Sequence, residues 1–228
     1  MTSLSRYQGQ KVLTEGIRYT GSKREIIPRI LQLIQSHCPT ASTVLDGCAG
    51  TTRVSQALKR SGYTVRCNDL AEHTLIFGNC YLLNRKPPSY YQPLIDHLNT
   101  LQGAHGWFSQ NYGGLVTNNA AGNAIQADGK KRPWQRHNME KLDAILSTIN
   151  SEVTDPIERS VLLTATMIAL DKVDNTMGHQ VAYLKQWSKR SYETIQLQVP
   201  ALITDELHHS VHQESIHRWS EPVDLAYI

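Results

Sequence analysis

No stretch of this chain is long and apolar enough to span a bilayer, so no membrane partner is expected. The four cysteines, Cys38, Cys48, Cys67 and Cys80, form no Cys-x-x-Cys pair. With no signal-peptide pattern at the start, they read as reduced thiols of a cytoplasmic protein of prokaryotic type, and no metal site is expected. Neither sign of charge is in large excess: the formal net charge is +3. A nucleic-acid face would therefore have to come from local clustering. Internal repeats and low-complexity tracts are also missing. What remains is 228 residues, 40% apolar and 19% charged, which suits one large domain or one domain with an insertion.

A short β-branched run ending in Val44-Leu45 and the acid Asp46 enters Gly47-Cys48-Ala49-Gly50-Thr51-Thr52, and a helical pattern leaves it. Val54, Ala57 and Leu58 share one face of that helix, and Gly62 stands where a C-terminal cap belongs. A second short strand, Thr64-Val65-Arg66-Cys67, ends in Asn68-Asp69. This order predicts the first β-α-β of a nucleotide-binding sheet. Glycines let the backbone approach a ligand, the helix start offers free N–H groups, and an acid about 20 residues on can accept from ribose hydroxyls. The third glycine of a dinucleotide fingerprint is absent, and Asp46 would repel a pyrophosphate. An acid there suits a ligand with a cationic or hydroxylic centre, such as S-adenosylmethionine. A β-α-β turn that binds nothing shares the local pattern.

Upstream, Ile17-Arg18-Tyr19-Thr20-Gly21-Ser22-Lys23 precedes a helix whose apolar face is Ile27, Ile30, Leu31 and Ile34. Ser22 is placed to cap it, and Pro28 falls in its first turns. Tyr19 and Lys23 beside a glycine read either as a plain lead-in or as a loop laying a ring and an ammonium against a small ligand. Downstream, helices are predicted from Ala71 to Leu83, with Leu75, Ile76, Cys80 and Leu83 inward, and from Tyr90 to Leu101. Gln102 to Pro133 is rich in Gly, Asn and Gln and leads into Lys130, Lys131, Arg132 and Arg136. Basic residues interleaved with aromatics and amides suit phosphates and base edges; a solvated surface loop is the alternative. Amphipathic helices follow at Asn138–Ile149 and, opened by Asp155 and Pro156, from Ile157 to about Asp171. Lys185, Lys189 and Arg190 cluster around Trp187, as a phosphate-contacting patch or a solvated basic end. Ile195–Val199 alternates like a strand, Val211–Ile216 is a short strand and turn, and Val223–Ile228 reads as a buried parallel strand.

Tyr19-x-Gly21-Ser22-Lys23, then Leu45-Asp46-Gly47-Cys48-Ala49-Gly50-Thr51-Thr52, then Asn68-Asp69 together resemble the Dam-like adenine-specific DNA methyltransferases. Those proteins place Tyr-x-Gly-Gly/Ser-Lys before an acid-x-Phe-x-Gly-x-Gly loop, with Asn-Asp following. Cys48 stands where that family often has Phe, and Thr52 where it often has Gly. One branch carries Gly-Phe-Phe-x-x-Asn-Tyr, which Trp107-Phe108-Ser109-Gln110-Asn111-Tyr112 is similar to. It also carries Lys-Val-Asn-Thr-x-Gly-x-x-x-Ala-Tyr-Leu-Lys-x-Trp, which resembles Lys172 to Trp187.

The resemblance implies an α/β fold: a Rossmann-like S-adenosylmethionine-dependent methyltransferase core with a mostly helical insertion. The core would span 1–100 and 195–228, and the insertion, 101–194, would carry target recognition. The implied reaction is methyl transfer from S-adenosylmethionine to N6 of adenine in a specific sequence of double-stranded DNA, as in restriction-modification. Carried over residue by residue, Tyr19, Gly21, Ser22 and Lys23 flank the methionine end of the cofactor. Asp46, Gly47, Cys48, Ala49, Gly50, Thr51 and Thr52 hold its carboxyl and amino groups. Asp69 binds the ribose, Asn68 belongs to the same cofactor-binding set, and Glu214 lies near the adenine or is a plain surface acid. The family's Asp-Pro-Pro-Tyr follows a strand such as 223–228 and does not occur in these residues. The expectation is of a chain that binds cofactor and DNA without turnover alone, with a downstream polypeptide as a further partner completing the core. A small-molecule methyltransferase and a non-catalytic nucleotide-binding module stay open.

Overall fold

The apolar spacing of Ile27, Ile30, Leu31 and Ile34 does what a 3.6-residue period requires: these four are the buried residues of α1, Ile27–His37. In the computed structural model, which describes residues 12–18, 20–116, 122–178 and 182–228, Ser22 does not cap this helix. A turn replaces the cap, with the Lys23 carbonyl accepting from the N–H groups of Ile26 and Ile27 at 2.9 and 3.1 Å.

The chain then forms β1, Thr43–Asp46, α2, Arg53–Arg60, and β2, Thr64–Asn68, in the expected order. Gly62 has φ +80°, the left-handed conformation that ends a helix at low cost for glycine. Helix α2 is buried from Arg53 to Lys59, and only Arg60 at its end is exposed. Arg53 donates to the carbonyls of Thr14 and Gly16, both at 2.8 Å. Gln56 pairs with both backbone groups of Glu15 at 2.9 Å, strapping residues 12–16 along the helix.

Helix α3, Glu72–Gly78, runs into a π turn, Asn79–Leu83, closed by Asn84 N–H donating to the Asn79 carbonyl at 3.0 Å. The wider turn rotates the inward face. Thr74, Phe77, Cys80, Tyr81 and Leu82 are buried, whereas Leu75, Ile76 and Leu83, expected inward, are only partly covered.

Helix α4 spans Pro88–Thr100 and the short α5 Trp107–Asn111. Strands β3, Gly113–Gly114, and β4, Trp134–Gln135, pair in parallel. Helices α6, Arg136–Glu152, and α7, Pro156–Lys172, follow, and Asp155 accepts from Glu158 N–H at 2.7 Å as its N-cap. The segment 195–199 buries alternate residues but is not a strand. Side-chain amides satisfy it instead: Asn99 bonds both backbone groups of Leu197, and Asn138 bonds Ile195 N–H and the Glu193 carbonyl.

Strands β5, Ser210–His212, and β6, Leu225–Tyr227, complete a four-stranded, all-parallel sheet of order β5-β2-β1-β6. Strand β6 is parallel as expected but is not buried, because it forms an edge of this sheet. Asp224 lies just before it, where its carboxylate accepts from Ser42 N–H, the Ser42 hydroxyl and Thr43 N–H.

Two compact units result. The first holds 12–16, 21–87 and 200–228, with a core of α1, α2, β1 and β2 residues including Leu31, Val44, Leu58 and Val65. The second holds the described residues of 17–20 and 88–199. The division falls at 87/88 and 199/200, so α4 and the extended 195–199 segment lie in the second unit, outside the expected 101–194 insertion.

Candidate functional site

Parallel strands present their carboxyl ends, and the loops that follow them, on one edge of a sheet. At that edge Asp46 ends β1 and is 1% exposed. The Ser55 hydroxyl of α2 donates to its Oδ2 at 2.6 Å, while Oδ1 is buried and has no hydrogen-bond partner among the described residues. Burial pushes its carboxyl up to about 6; the Ser55 bonds oppose this shift, and nearby Asp69 adds to it.

The loop after Asp46 is held at nearly every residue. Gly47 N–H donates to the Tyr227 carbonyl at 2.8 Å, and Ala49 N–H to the Asn68 carbonyl at 3.0 Å. Gly47 packs under Ile216: a Cβ there would lie 2.8 Å from Ile216 Cδ1, and that side chain would have to shift. Gly50 has φ +52° and donates its N–H to Asp69 Oδ2 at 2.8 Å, while its carbonyl accepts from the Thr74 hydroxyl at 2.6 Å. Cys48 is exposed; Thr51 and Thr52 turn inward and are buried. Thr52 has φ +58°, a strained conformation for a β-branched residue, at the position where glycine is common in the resembled family.

Asn68 and Asp69 end β2 beside this loop. Asn68 is fully buried and its amide is spent on backbone: it donates to the carbonyls of Gly47 and Glu214 and accepts from Glu214 N–H. It therefore positions the loop and the Glu214 segment and has no free amide group for a ligand. Asp69 divides its carboxylate between the N–H groups of Gly50 and Ala71. Glu214 is half-buried, brought next to Asn68 across β2 and β5. Ser55, Thr74 and Ile216 hold this arrangement together and carry no motif of their own; only the folded contacts reveal them.

Tyr19 lies outside the described residues. Gly21, Ser22 and Lys23 are exposed, and the Lys23 ammonium donates to the Gly21 carbonyl at 2.9 Å. Just before them, Arg18 is anchored in the second unit by Asp171 and Asp174.

The basic residues also separate by role. The segment 122–126 pairs on one side with 185–187, through Ala124 N–H to the Lys185 carbonyl and Trp187 N–H to the Gly122 carbonyl, both at 2.8 Å. On the other side it meets 130–131, through Gln126 N–H to the Lys130 carbonyl at 2.9 Å and a bridge from Ile125 to Lys131. Two basic runs far apart in the chain thus edge one ribbon. Lys130, Lys185 and Lys189 are exposed and Lys131 half-buried. Arg132 is instead paired with Asp128 at 2.6 Å. Arg190 is paired with the buried Asp174 at 2.5 Å and bonded to the Asp174 and Thr176 carbonyls. Both arginines are thus paired with carboxylates of the chain, which the charge pattern could not reveal. Arg136 opens α6, and its Nε is buried without a partner among the described residues.

The family described as D12 class N6 adenine-specific DNA methyltransferase matches residues 19–228. The chain belongs to this family. Within the D12 class it is similar to modification methylase StsI of Streptococcus sanguinis, 27% identical over 197 residues, covering 80% of this chain and 28% of that protein. It is also similar to modification methylase LlaI of Lactococcus lactis subsp. lactis, 28% identical over 192 residues, covering 77% and 28%. The chain thus spans little more than a quarter of the length of these relatives. No solved structure matches it significantly. D12 membership implies a methyl donor, and the parallel sheet with its helices is the α/β fold expected. Among the described residues no helix is long and apolar enough to cross a membrane.

Proposed function

We propose that the Asp46–Thr52 loop, with Asp69 and Glu214, binds S-adenosylmethionine. We further propose that the chain serves methyl transfer to N6 of adenine in double-stranded DNA. The observation that carries this reading is Asp46 Oδ1: a buried carboxylate oxygen without a partner among the described residues, at the carboxyl edge of a parallel sheet. It fits a ligand ammonium, which would satisfy the oxygen and favour the ionised acid. Loop N–H groups would take the ligand carboxylate. The remaining lone pairs of Asp69 would accept from ribose hydroxyls, and Glu214 would face the adenine. Gly21, Ser22 and Lys23 would flank the methionine end. When bound, S-adenosylmethionine supplies a methyl carbon activated by its sulfonium. Lys130, Lys131, Lys185, Lys189 and Arg136 would contact DNA phosphates. The names of the two relatives, both modification methylases, support a role in DNA modification.

Calorimetric titration with S-adenosylmethionine tests the cofactor half. Asp46→Asn keeps the shape and removes the charge, and should weaken binding at least about tenfold, as loss of one charge-assisted hydrogen bond does. Equal affinity of variant and wild type would put the cofactor elsewhere. For DNA, replacing Lys130 and Lys185 by Gln should flatten the salt dependence of duplex binding by roughly one unit per lost contact. An unchanged slope would return these lysines to the solvated surface.

A further inference from the structure

Helix α5 exposes an aromatic cluster that the cofactor and phosphate assignments do not use. Trp107 is 59% exposed and Tyr112 38% exposed, although large apolar side chains ordinarily lose such surface on folding. Their rings lie 5.5 Å apart between centroids, with Phe108 4.9 Å from Trp107 and 6.2 Å from Tyr112. The cluster is held rigidly. Asp143 of α6 accepts from Phe108 N–H and Ser109 N–H at 2.9 and 2.8 Å, and Ser109 Oγ bonds Gly106 at both backbone groups.

The chain leads directly from this cluster into the basic ribbon. Leu115, three residues after Tyr112, exchanges two hydrogen bonds with the Gln126 side chain, whose backbone meets Lys130. Three residues span at most about 10 Å, so the cluster and this end of the ribbon are neighbours. Between them Gly113 and Gly114 leave no room for side chains. A Cβ on Gly113 would lie 3.0 Å from Arg136 Cα, and one on Gly114 2.6 Å from the Trp187 ring and 2.9 Å from Arg132 Cβ. Around this dipeptide Arg136 Nε, Arg132 Nε and Trp187 Nε1 are buried donors without a partner among the described residues. Open π faces with flanking cations are the chemistry that holds a nucleic-acid base outside its stack.

We propose that Trp107 and Tyr112 form a stacking platform for an unpaired DNA base, beside the lysines that hold the backbone. This rests on the DNA reading above, and the test separates the two. Labelled duplexes of equal length, one fully paired and one with a single unpaired purine, are titrated at several salt concentrations. Wild type should favour the unpaired duplex about tenfold. Trp107→Ala and Tyr112→Ala should lose that preference and keep the salt slope, whereas Trp107→Phe should retain the preference. Lys130→Gln with Lys185→Gln should lower the slope and keep the preference. A preference that is absent in wild type, or survives both alanine variants, overturns the platform while leaving the phosphate reading intact. Self-association that Trp107→Ala abolishes, with no base preference, would assign the cluster to a second copy of the chain and also overturn it. Binding that does not depend on salt for either duplex would remove the DNA reading itself.

Discussion

Asp46 sets a pH dependence whose sign is unusual for a carboxylate. Its unfolded value is near 3.8 and its folded value about 6, so the free protein carries a penalty for ionising it. That penalty is fully present above pH 6 and is lost as pH falls through 6 towards 4, so this group makes the free protein more stable on mild acidification. Asp46→Asn should remove the penalty and raise stability near pH 7, by up to roughly 3 kcal/mol, while weakening the cofactor. Denaturant titration of both forms at pH 5 and pH 8 checks this; a variant no more stable than wild type at pH 8 would mean that the carboxylate is already compensated. Two neighbours in the loop make a contrasting pair. Gly50→Ala puts a side chain at φ +52° and should cost about 1–2 kcal/mol. Thr52→Gly relieves a similar strain at φ +58°, offsetting its lost packing and the 3.2 Å bond from Gln56, and should leave stability within about 1 kcal/mol. Thermal denaturation separates the two outcomes.

Element boundaries here follow the hydrogen bonds that are available more than they follow periodicity. The alternation at 195–199 is real, with Ile195 and Leu197 buried between exposed glutamines, but no sheet edge among the described residues pairs with it. Asn99 and Asn138 replace the missing partner strand. Asn138→Ala should leave Ile195 N–H and the Glu193 carbonyl unsatisfied and cost about 2–3 kcal/mol. A loss below about 0.5 kcal/mol in urea titration would show that water or another group takes over. Asp143 plays the corresponding part for α5, which is too short to hold itself. Asp143→Ala should cost about 1 kcal/mol. It should also disorder the Trp107 cluster, which Trp107 fluorescence would report.

Two compact units carry the two proposed ligands, which gives a prediction for the whole chain. At about a hundred times its Kd, S-adenosylmethionine should stabilise the protein by roughly 2.7 kcal/mol. Hydrogen exchange should slow at residues 46–52, 68–71 and 214–216, which the hydrogen bonds of Asn68 and Asp69 tie together, and stay unchanged across 122–131. Duplex DNA should give the opposite pattern. Cofactor protection centred on the ribbon would refute the assignment of ligands to units.

Local order was readable before any coordinates. β1, α2 and β2, the left-handed Gly62 and the Asp155 cap all follow from short-range periodicity and turn chemistry, which act within a few residues. The β1–α2 loop was legible for the same reason, since a strand, two glycines and the acid that follows β2 lie close in sequence. What sequence spacing could not supply depends on partners far along the chain. Asn68 is spent on Gly47 and Glu214, Arg190 on Asp174, and the lysines at 130–131 and 185 meet only through 122–126. A charge pattern records that an arginine is present; whether it faces solvent or an internal carboxylate is settled when burial leaves that carboxylate needing a partner. The π turn that rotated the expected face of residues 71–83, and the orphaned oxygen of Asp46, are likewise products of packing, because each exists only relative to the groups that close around it.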